Sequence, residues 1–208
     1  MKLTRLSFFL GLLLSCFNAN AQDGKGVFSS ALHVALNACQ IDGDGASGYN
    51  KFGYTIGTVI AQNLANKWQY ETGIAISERG SRYPFNPDLP GKQAFHYRYQ
   101  TVDVPLFFNK TIDSRWKAGL GFRTTYLIKA RETEGIHLNV EQDSRKAGML
   151  ICANVHYKVN KSLSYRLECQ YGMVSVTNSA AGSLFFPTGA YHNCISAGIQ
   201  YNVSSKAE

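Results

Sequence analysis

Side chains that could catalyse hydrolysis are present in this sequence, but their spacing does not bring them together. A hydrolase with a serine or cysteine nucleophile needs that side chain within hydrogen-bond reach of a base such as histidine. The five histidines of the 208-residue chain are dispersed: His33, His96, His137, His156 and His192. We therefore predict a protein that is not an enzyme. A hydrolase of lipid or peptide that uses these histidines is the alternative.

One short acidic segment resembles the beginning of a calcium-binding loop. Asp42-Gly-Asp44-Gly supplies the first carboxylates of that pattern. The full pattern requires a further oxygen-bearing side chain at its fifth position and a glutamate at its twelfth. Ala46 and Gly53 occupy those positions and offer no side-chain oxygen. We predict an acidic turn there, and no metal or other cofactor.

The remaining chemistry is charge pairing and disulfide formation, and both depend on the elements that carry the side chains. From Gly26 onward the hydrophobic pattern has a period of two, which indicates β-strands. The clearest segment is 163–173, where apolar and aromatic residues alternate with Arg166, Glu168 and other polar residues. A helix would scatter these two charges among the apolar positions, whereas a strand separates the two faces.

Eight segments with this alternation follow one another along the chain. They are residues 27–38, 51–62, 68–78, 99–108, 116–128, 147–157, 163–173 and 191–203. Their connections alternate between short polar turns at 63–67, 109–114 and 158–162 and long loops at 39–50, 79–98, 130–146 and 175–190. This alternation predicts an antiparallel meander with both termini on the side of the short turns.

An apolar strand face points either into a core or toward lipid, and the aromatic residues distinguish the two. Near the short turns are Trp68, Tyr70, Phe108, Trp116, Tyr157 and Tyr165, and near the long loops are Tyr54, Tyr126, Tyr171 and Tyr191. Two aromatic belts around an aliphatic band are typical of a membrane-spanning barrel. We predict an all-β fold, an eight-stranded antiparallel up-and-down transmembrane β-barrel with short periplasmic turns and long outer loops. A soluble lipocalin-like ligand-binding barrel is the alternative.

The opposite strand faces are polar and would fill the interior of this barrel. Eight strands leave a lumen just wide enough for side chains. We therefore expect three acids, Glu71, Asp103 and Glu168, to pair there with three cations, Lys117, Arg123 and Arg166. Unpaired buried charges are costly, so this network should interlock and plug the lumen.

Four cysteines lie within the predicted barrel domain. Cys39 follows the first predicted strand where that strand reaches the long-loop side, and Cys194 lies near the start of the last strand, which leaves that side. Both therefore lie near the outer rim on neighbouring strands, and both point inward. We predict a disulfide between them, which Cα atoms more than about 7 Å apart would exclude. Cys152 also points inward and is an alternative partner for either, whereas Cys169 points to lipid.

The N-terminus predicts export. Residues 1–21 have a positive start, an apolar core and an Ala-Asn-Ala ending, which is the pattern of a secretory signal peptide cleaved after Ala21. The barrel domain is then 22–208, and a lipidated Cys16 is the alternative.

Positive charges are scattered along the chain, so nucleic-acid binding is not expected. Basic residues of the long loops are suited to bind lipopolysaccharide phosphates or to form a solvated rim. They are Arg79, Arg82, Lys92, Arg98, Lys129, Arg131, Arg145 and Lys146.

Several segments resemble the PorT-like outer-membrane β-barrel family of Bacteroidota, in the order expected for that family. They are residues 68–81, with a Gly-Ser step at the strand end, 102–106 (Val-Asp-Val-Pro-Leu), 117–122 (Lys-Ala-Gly-Leu-Gly-Phe) and 163–168. The resemblance implies a bacterial outer-membrane location and, for some members, a part in protein secretion. It implies no catalytic residues. We expect a structural or accessory component of the cell envelope that contacts outer-membrane lipid and an envelope or secretion partner.

One proline falls within a predicted strand. Because proline has no backbone N–H to donate to the sheet and a closed barrel has no free edge, we expect a bulge at Val104-Pro105.

Overall fold

A computed structural model of the protein describes residues 28–44, 46, 48–84, 94–132, 144–177 and 189–203. Eight antiparallel strands each pair with their neighbours in sequence, and the last pairs with the first to close a barrel. The strands are β1 (Phe28–Asp42), β2 (Lys51–Asn63), β3 (Trp68–Tyr83), β4 (Phe95–Thr111), β5 (Trp116–Glu132), β6 (Ala147–Lys158), β7 (Leu163–Gly172) and β8 (Tyr191–Asn202). No helix in these ranges is long and apolar enough to cross a membrane. The predicted strand number, direction and order are confirmed.

The strands are tilted against the barrel axis, as closure requires. Starting at Ala61 of β2 and passing from partner to partner through every strand, the register returns to β2 at Lys51, a shift of 61 − 51 = 10 residues. This stagger decides which side chains of distant strands meet in the lumen.

The two faces of the sheet are oriented as predicted. Leu120 and Leu167 on the outside are 67% and 51% exposed, whereas Arg123 and Glu168 in the lumen are 2% and 1% exposed. A barrel in water has the reverse arrangement, with apolar side chains inside. The apolar exterior is suited to hydrocarbon, where closure also satisfies every strand edge.

Aromatic side chains lie at both ends of the exterior. Trp68, Trp116, Phe108 and Tyr165 are between 41% and 54% exposed near the short turns. Tyr126 and Tyr171 hold corresponding positions toward the long loops, at 59% and 43%. Tyr191 was expected with them but is only 6% exposed. It lies against Tyr171, with the ring centroids 6.5 Å apart.

The strands on one side of the barrel are longer than predicted. β3, β4 and β5 have 16, 17 and 17 residues, whereas β6, β7 and β8 have 12, 10 and 12. A membrane-spanning strand needs only about 9–11 residues. Residues 78–83, 95–100 and 127–132 therefore form a three-stranded sheet at the outer end of the barrel, which we call the outer extension.

The prediction of a bulge at Val104-Pro105 is wrong. Pairing of β4 with β5 continues in register through both residues, and the register shift lies at Gln100/Thr101 instead. Between β3 and β4 the register is the same on both sides of Pro105, and the Thr72 hydroxyl donates to the Pro105 carbonyl at 2.9 Å. The missing proline N–H is thus accommodated by an interruption of the ladder rather than by an extra residue.

Candidate functional site

Charged side chains form one continuous line of alternating sign through the lumen. From the outer to the periplasmic end they are Arg79, Asp103, Arg123, Glu168, Arg166, Glu71 and Lys117. All are nearly inaccessible except Lys117, whose side chain is 19% exposed at the periplasmic end. The structure thus brings together all six residues of the predicted network and adds a seventh, Arg79.

The outer part of this line is built on two carboxylates that each bind two guanidinium groups. Asp103 Oδ2 lies 2.8 Å from Arg79 Nη2 and 3.5 Å from Arg123 Nη1. Glu168 lies 2.6 Å from Arg123 and 2.9 Å from Arg166. Because each carboxylate is shared, removal of one takes a counter-charge from two buried cations at once.

The periplasmic part of the line centres on Glu71. Its Oε2 accepts from Arg166 Nη1 at 3.2 Å, and its Oε1 accepts from the Lys117 ammonium group. The Arg166 guanidinium also lies over the Phe107 ring, 4.6 Å from its centroid. Phe107 fits there because Gly121 faces it: a Cβ on Gly121 would lie 2.6 Å from the ring.

A closed ring of hydrogen bonds that includes Asp103 lies in the outer half of the lumen. Its members are Asn37, Thr55, Ser77, Asp103, Arg79, Gln170 and Ser196, with donor–acceptor distances from 2.5 to 3.0 Å. The ring connects β1, β2, β3, β4, β7 and β8 across the barrel. We call this ring, together with the alternating charges, the lumen plug.

Cys39 and Cys194 form a disulfide in the structure. They are directly opposed on β1 and β8, with their Cα atoms 4.2 Å apart, and both are at most 1% exposed. The bond joins the first and last strands across a sequence separation of 155. Cys152 is a buried free thiol and Cys169 is exposed on the outer face.

The periplasmic half of the lumen is polar but incompletely hydrogen-bonded. Several buried side-chain atoms have no hydrogen-bond partner among the described residues. They are both polar atoms of Asn109 and of Asn154, both ring nitrogens of His156, His33 Nε2 and Gln200 Oε1. A cavity of about 310 Å³ opens from this region toward the short turns. We call this half the vestibule.

Arg79 was missed as a lumen residue because it was assigned to a loop. The inward alternation of β3 runs through Glu71, Ser77 and Arg79, so the pattern itself continued past the predicted strand end at residue 78. The prediction that Arg79 is a loop cation available to lipopolysaccharide is wrong, because Arg79 is 0% exposed and paired with Asp103. Lys92 lies outside the described residues.

The histidines do not form a catalytic arrangement in the described part of the chain. No hydrogen bond joins His33, His156 or His192 to a serine, threonine or cysteine. His192 packs edge-on against Tyr99, with centroids 5.3 Å apart. His137 lies outside the described residues. Among the described residues, no group of three or more His, Cys, Asp or Glu side chains could hold a metal ion.

Comparison with known families agrees with this geometry. The family described as outer membrane protein beta-barrel domain matches residues 5–178, most of the chain. The chain belongs to this family. It is thus a β-barrel protein of the bacterial outer membrane. No curated protein matches the sequence.

Solved structures of outer-membrane barrels resemble the fold at low sequence identity. Ail, the attachment invasion locus protein of Yersinia pestis, is 12% identical, with 84% of this chain and 97% of that chain covered and a TM-score of 0.46. Neisserial surface protein A is 14% identical, with 86% and 99% covered and a TM-score of 0.49. The outer membrane protease OmpT of Escherichia coli is 12% identical, with 85% and 93% covered and a TM-score of 0.38.

Proposed function

We propose that this protein is a non-enzymatic, closed outer-membrane barrel that serves as a structural or accessory component of the cell envelope. Its outer extension contacts an envelope or secretion partner, in keeping with the resemblance to PorT-like proteins. The proposal includes export with cleavage after Ala21, and residues 1–21 lie outside the described residues.

The lumen plug is the observation that carries this proposal. A permeating ion would have to separate pairs such as Arg79–Asp103, whose side chains are both 0% exposed. Breaking a buried ion pair costs about 3–5 kcal/mol, and several pairs stand in series. The barrel wall, rather than a channel, is therefore the part available for function.

The outer extension offers a surface for such a partner. Arg82, Arg98 and Arg131 lie on it and are exposed. Guanidinium groups bind carboxylates and phosphates through paired hydrogen bonds. This surface is also suited to contact lipopolysaccharide phosphates at the membrane rim.

A photo-crosslinking experiment tests the proposed contact. A crosslinking side chain placed at Arg98 should give a defined adduct in intact cells, whereas one placed at Lys110, at the opposite end, should not. Cells lacking the protein should show altered secretion or a weakened outer-membrane barrier, restored by the wild type but not by an Arg82→Gln, Arg98→Gln, Arg131→Gln variant. No adduct together with an unchanged envelope would contradict the proposal.

Two activity measurements distinguish this proposal from an open channel and from a hydrolase. The reconstituted protein should give no stepwise conductance in planar bilayers, so stable channels would contradict a closed barrel. It should also hydrolyse neither lipid A nor peptide. Hydrolysis that disappears in His33→Ala, His137→Ala or His192→Ala would identify an enzyme instead.

A further inference from the structure

The vestibule cavity lies at the opposite end from the outer extension and is not used by the proposed function. It opens between the turn that joins β4 to β5 and the turn that joins β6 to β7. Lys117, His156 and Gln200 line its floor, and Arg115, Lys158 and Lys161 line its mouth. A concave site with a few convergent polar groups is the usual form of a small-ligand site.

Positive charge dominates this cavity. Its four cations face one carboxylate, that of Asp113. Its Oδ1 accepts the backbone N–H groups of Arg115 and Trp116 at 2.7 and 2.8 Å, and its single negative charge stands against the four cations. Lys158 and Lys161 have no ion pair with any described residue. The cavity therefore favours an anion.

The acid beneath the floor offsets only part of this charge, because two cations share it. Glu71 binds Lys117 through one oxygen and Arg166 through the other. Arg115 is held at the mouth, where its Nη1 donates to the Tyr157 hydroxyl at 3.1 Å.

His156 is the observation that points to a bound ligand. Its side chain is 3% exposed, yet neither ring nitrogen has a hydrogen-bond partner in the part of the chain that the structure describes. The nearest charged oxygen, Glu71 Oε2, is 3.9 Å from Nε2, beyond hydrogen-bond distance. Buried polar groups are normally satisfied. A neutral imidazole has one donor and one acceptor nitrogen, so one nitrogen requires an acceptor and the other requires a donor.

We propose that the vestibule cavity is a binding site for inorganic phosphate. The hydrogen phosphate dianion offers oxygens to Lys117, Lys158 and Lys161 and keeps one hydroxyl that can donate to the acceptor nitrogen of His156 or to Gln200 Oε1. Sulfate has the same charge and shape but no hydroxyl to donate. A fully ionised phosphate monoester also lacks that hydroxyl, so the site favours the free ion over a phosphorylated headgroup.

Isothermal titration of the full chain in detergent micelles at pH 8, in a phosphate-free buffer, tests this proposal. Phosphate should bind saturably at one site. Sulfate and glycerol 3-phosphate should bind about tenfold more weakly or not at all, given the hydrogen bond they cannot donate. The ring signals of His156 should shift during the phosphate titration.

Variants separate this site from general surface charge. The double variant Lys158→Gln, Lys161→Gln should weaken phosphate binding by tenfold or more. The double variant His156→Phe, Gln200→Leu, which removes both acceptors available to the phosphate hydroxyl, should remove the preference over sulfate. Lys110→Gln removes one positive charge at the same end of the barrel but outside the cavity, and should leave binding unchanged within twofold. Heat-modified mobility on gels reports whether each variant is folded.

Three results would overturn the inference. Absence of saturable phosphate binding would mean that the vestibule holds only water. Equal affinity for sulfate, or higher affinity for glycerol 3-phosphate, would exclude the free phosphate ion as the preferred ligand. Unchanged binding in the double lysine variant would place the phosphate elsewhere. None of these outcomes bears on the envelope role, which depends on the outer extension.

Discussion

The outer and periplasmic halves of the lumen contain similar polar residues but differ in how completely those residues are hydrogen-bonded. In the outer half, Asn37 donates to Thr55 at 3.0 Å and accepts from Ser196 at 2.5 Å, within a closed ring. In the periplasmic half, Asn154 is nearly as inaccessible, at 3% exposed, but neither of its side-chain polar atoms has a hydrogen-bond partner among the residues described.

This difference indicates two kinds of interior within one barrel. An unsatisfied buried polar group costs about 1–3 kcal/mol, so the vestibule requires water or a ligand. In the lumen plug the side chains satisfy one another, and Arg123 Nε is its one buried atom without a hydrogen-bond partner among the described residues. The outer half is therefore expected to be rigid and dry, and the periplasmic half hydrated and adaptable.

Loss of a shared carboxylate in the lumen plug should have the largest effect. Glu168→Gln leaves both Arg123 and Arg166 without that counter-charge. We expect a loss of about 3–5 kcal/mol in the free energy of unfolding, the usual cost of breaking a buried pair. Urea unfolding in detergent measures it. Lys110→Gln, which removes an exposed charge, should change stability by less than about 1 kcal/mol, and similar losses in both variants would contradict the plug.

Loss of the disulfide should have the next largest effect. Cys39→Ser with Cys194→Ser should reduce the free energy of unfolding by about 2–4 kcal/mol, because the bond restricts the unfolded chain. The double variant Cys152→Ser, Cys169→Ser removes the two free thiols and serves as the control. Reducing agent should lower the urea midpoint of the wild type and leave that of Cys39→Ser, Cys194→Ser unchanged.

A matched pair of asparagine variants tests the comparison between the two halves directly. Asn37→Leu removes the hydrogen bonds that Asn37 makes to Thr55 and Ser196 in the ring. It should lower the free energy of unfolding by about 1–3 kcal/mol. Asn154→Leu removes no hydrogen bond to a described residue and should change stability by less than about 1 kcal/mol. Equal losses in urea unfolding would show that the vestibule is as fully bonded as the plug.

The smallest effect is expected at the periplasmic rim. Backbone N–H groups of Arg115 and Trp116 hold the pKa of Asp113 below its usual range. A lowered folded-state pKa stabilises the protein above the unfolded value of about 4, and this contribution is lost as pH falls through the folded-state pKa. Asp113→Asn should therefore be slightly less stable than the wild type at pH 7, and the difference in urea midpoint should vanish on acidification. A difference independent of pH would contradict this origin.

The inward or outward direction of each side chain could be predicted from the sequence. Successive side chains of a strand point to opposite faces, so Arg123 and Glu168 had to share the face opposite Phe122 and Leu167. The same parity placed Cys39 and Cys194 on the inner face. It is a local property of the chain and needs no knowledge of neighbouring strands.

Only the closed barrel decided which of these inward side chains meet and which strands extend beyond the membrane. The link from Arg79 to Gln170 joins residues 91 positions apart and depends on the tilt and stagger of strands around the barrel. The same stagger leaves Asn154 and His156 without a hydrogen-bond partner among the described side chains, although their sequence pattern matches that of the plug. Side-chain parity repeats every two residues and is written into each strand, whereas contact across the lumen depends on the register of all eight strands at once.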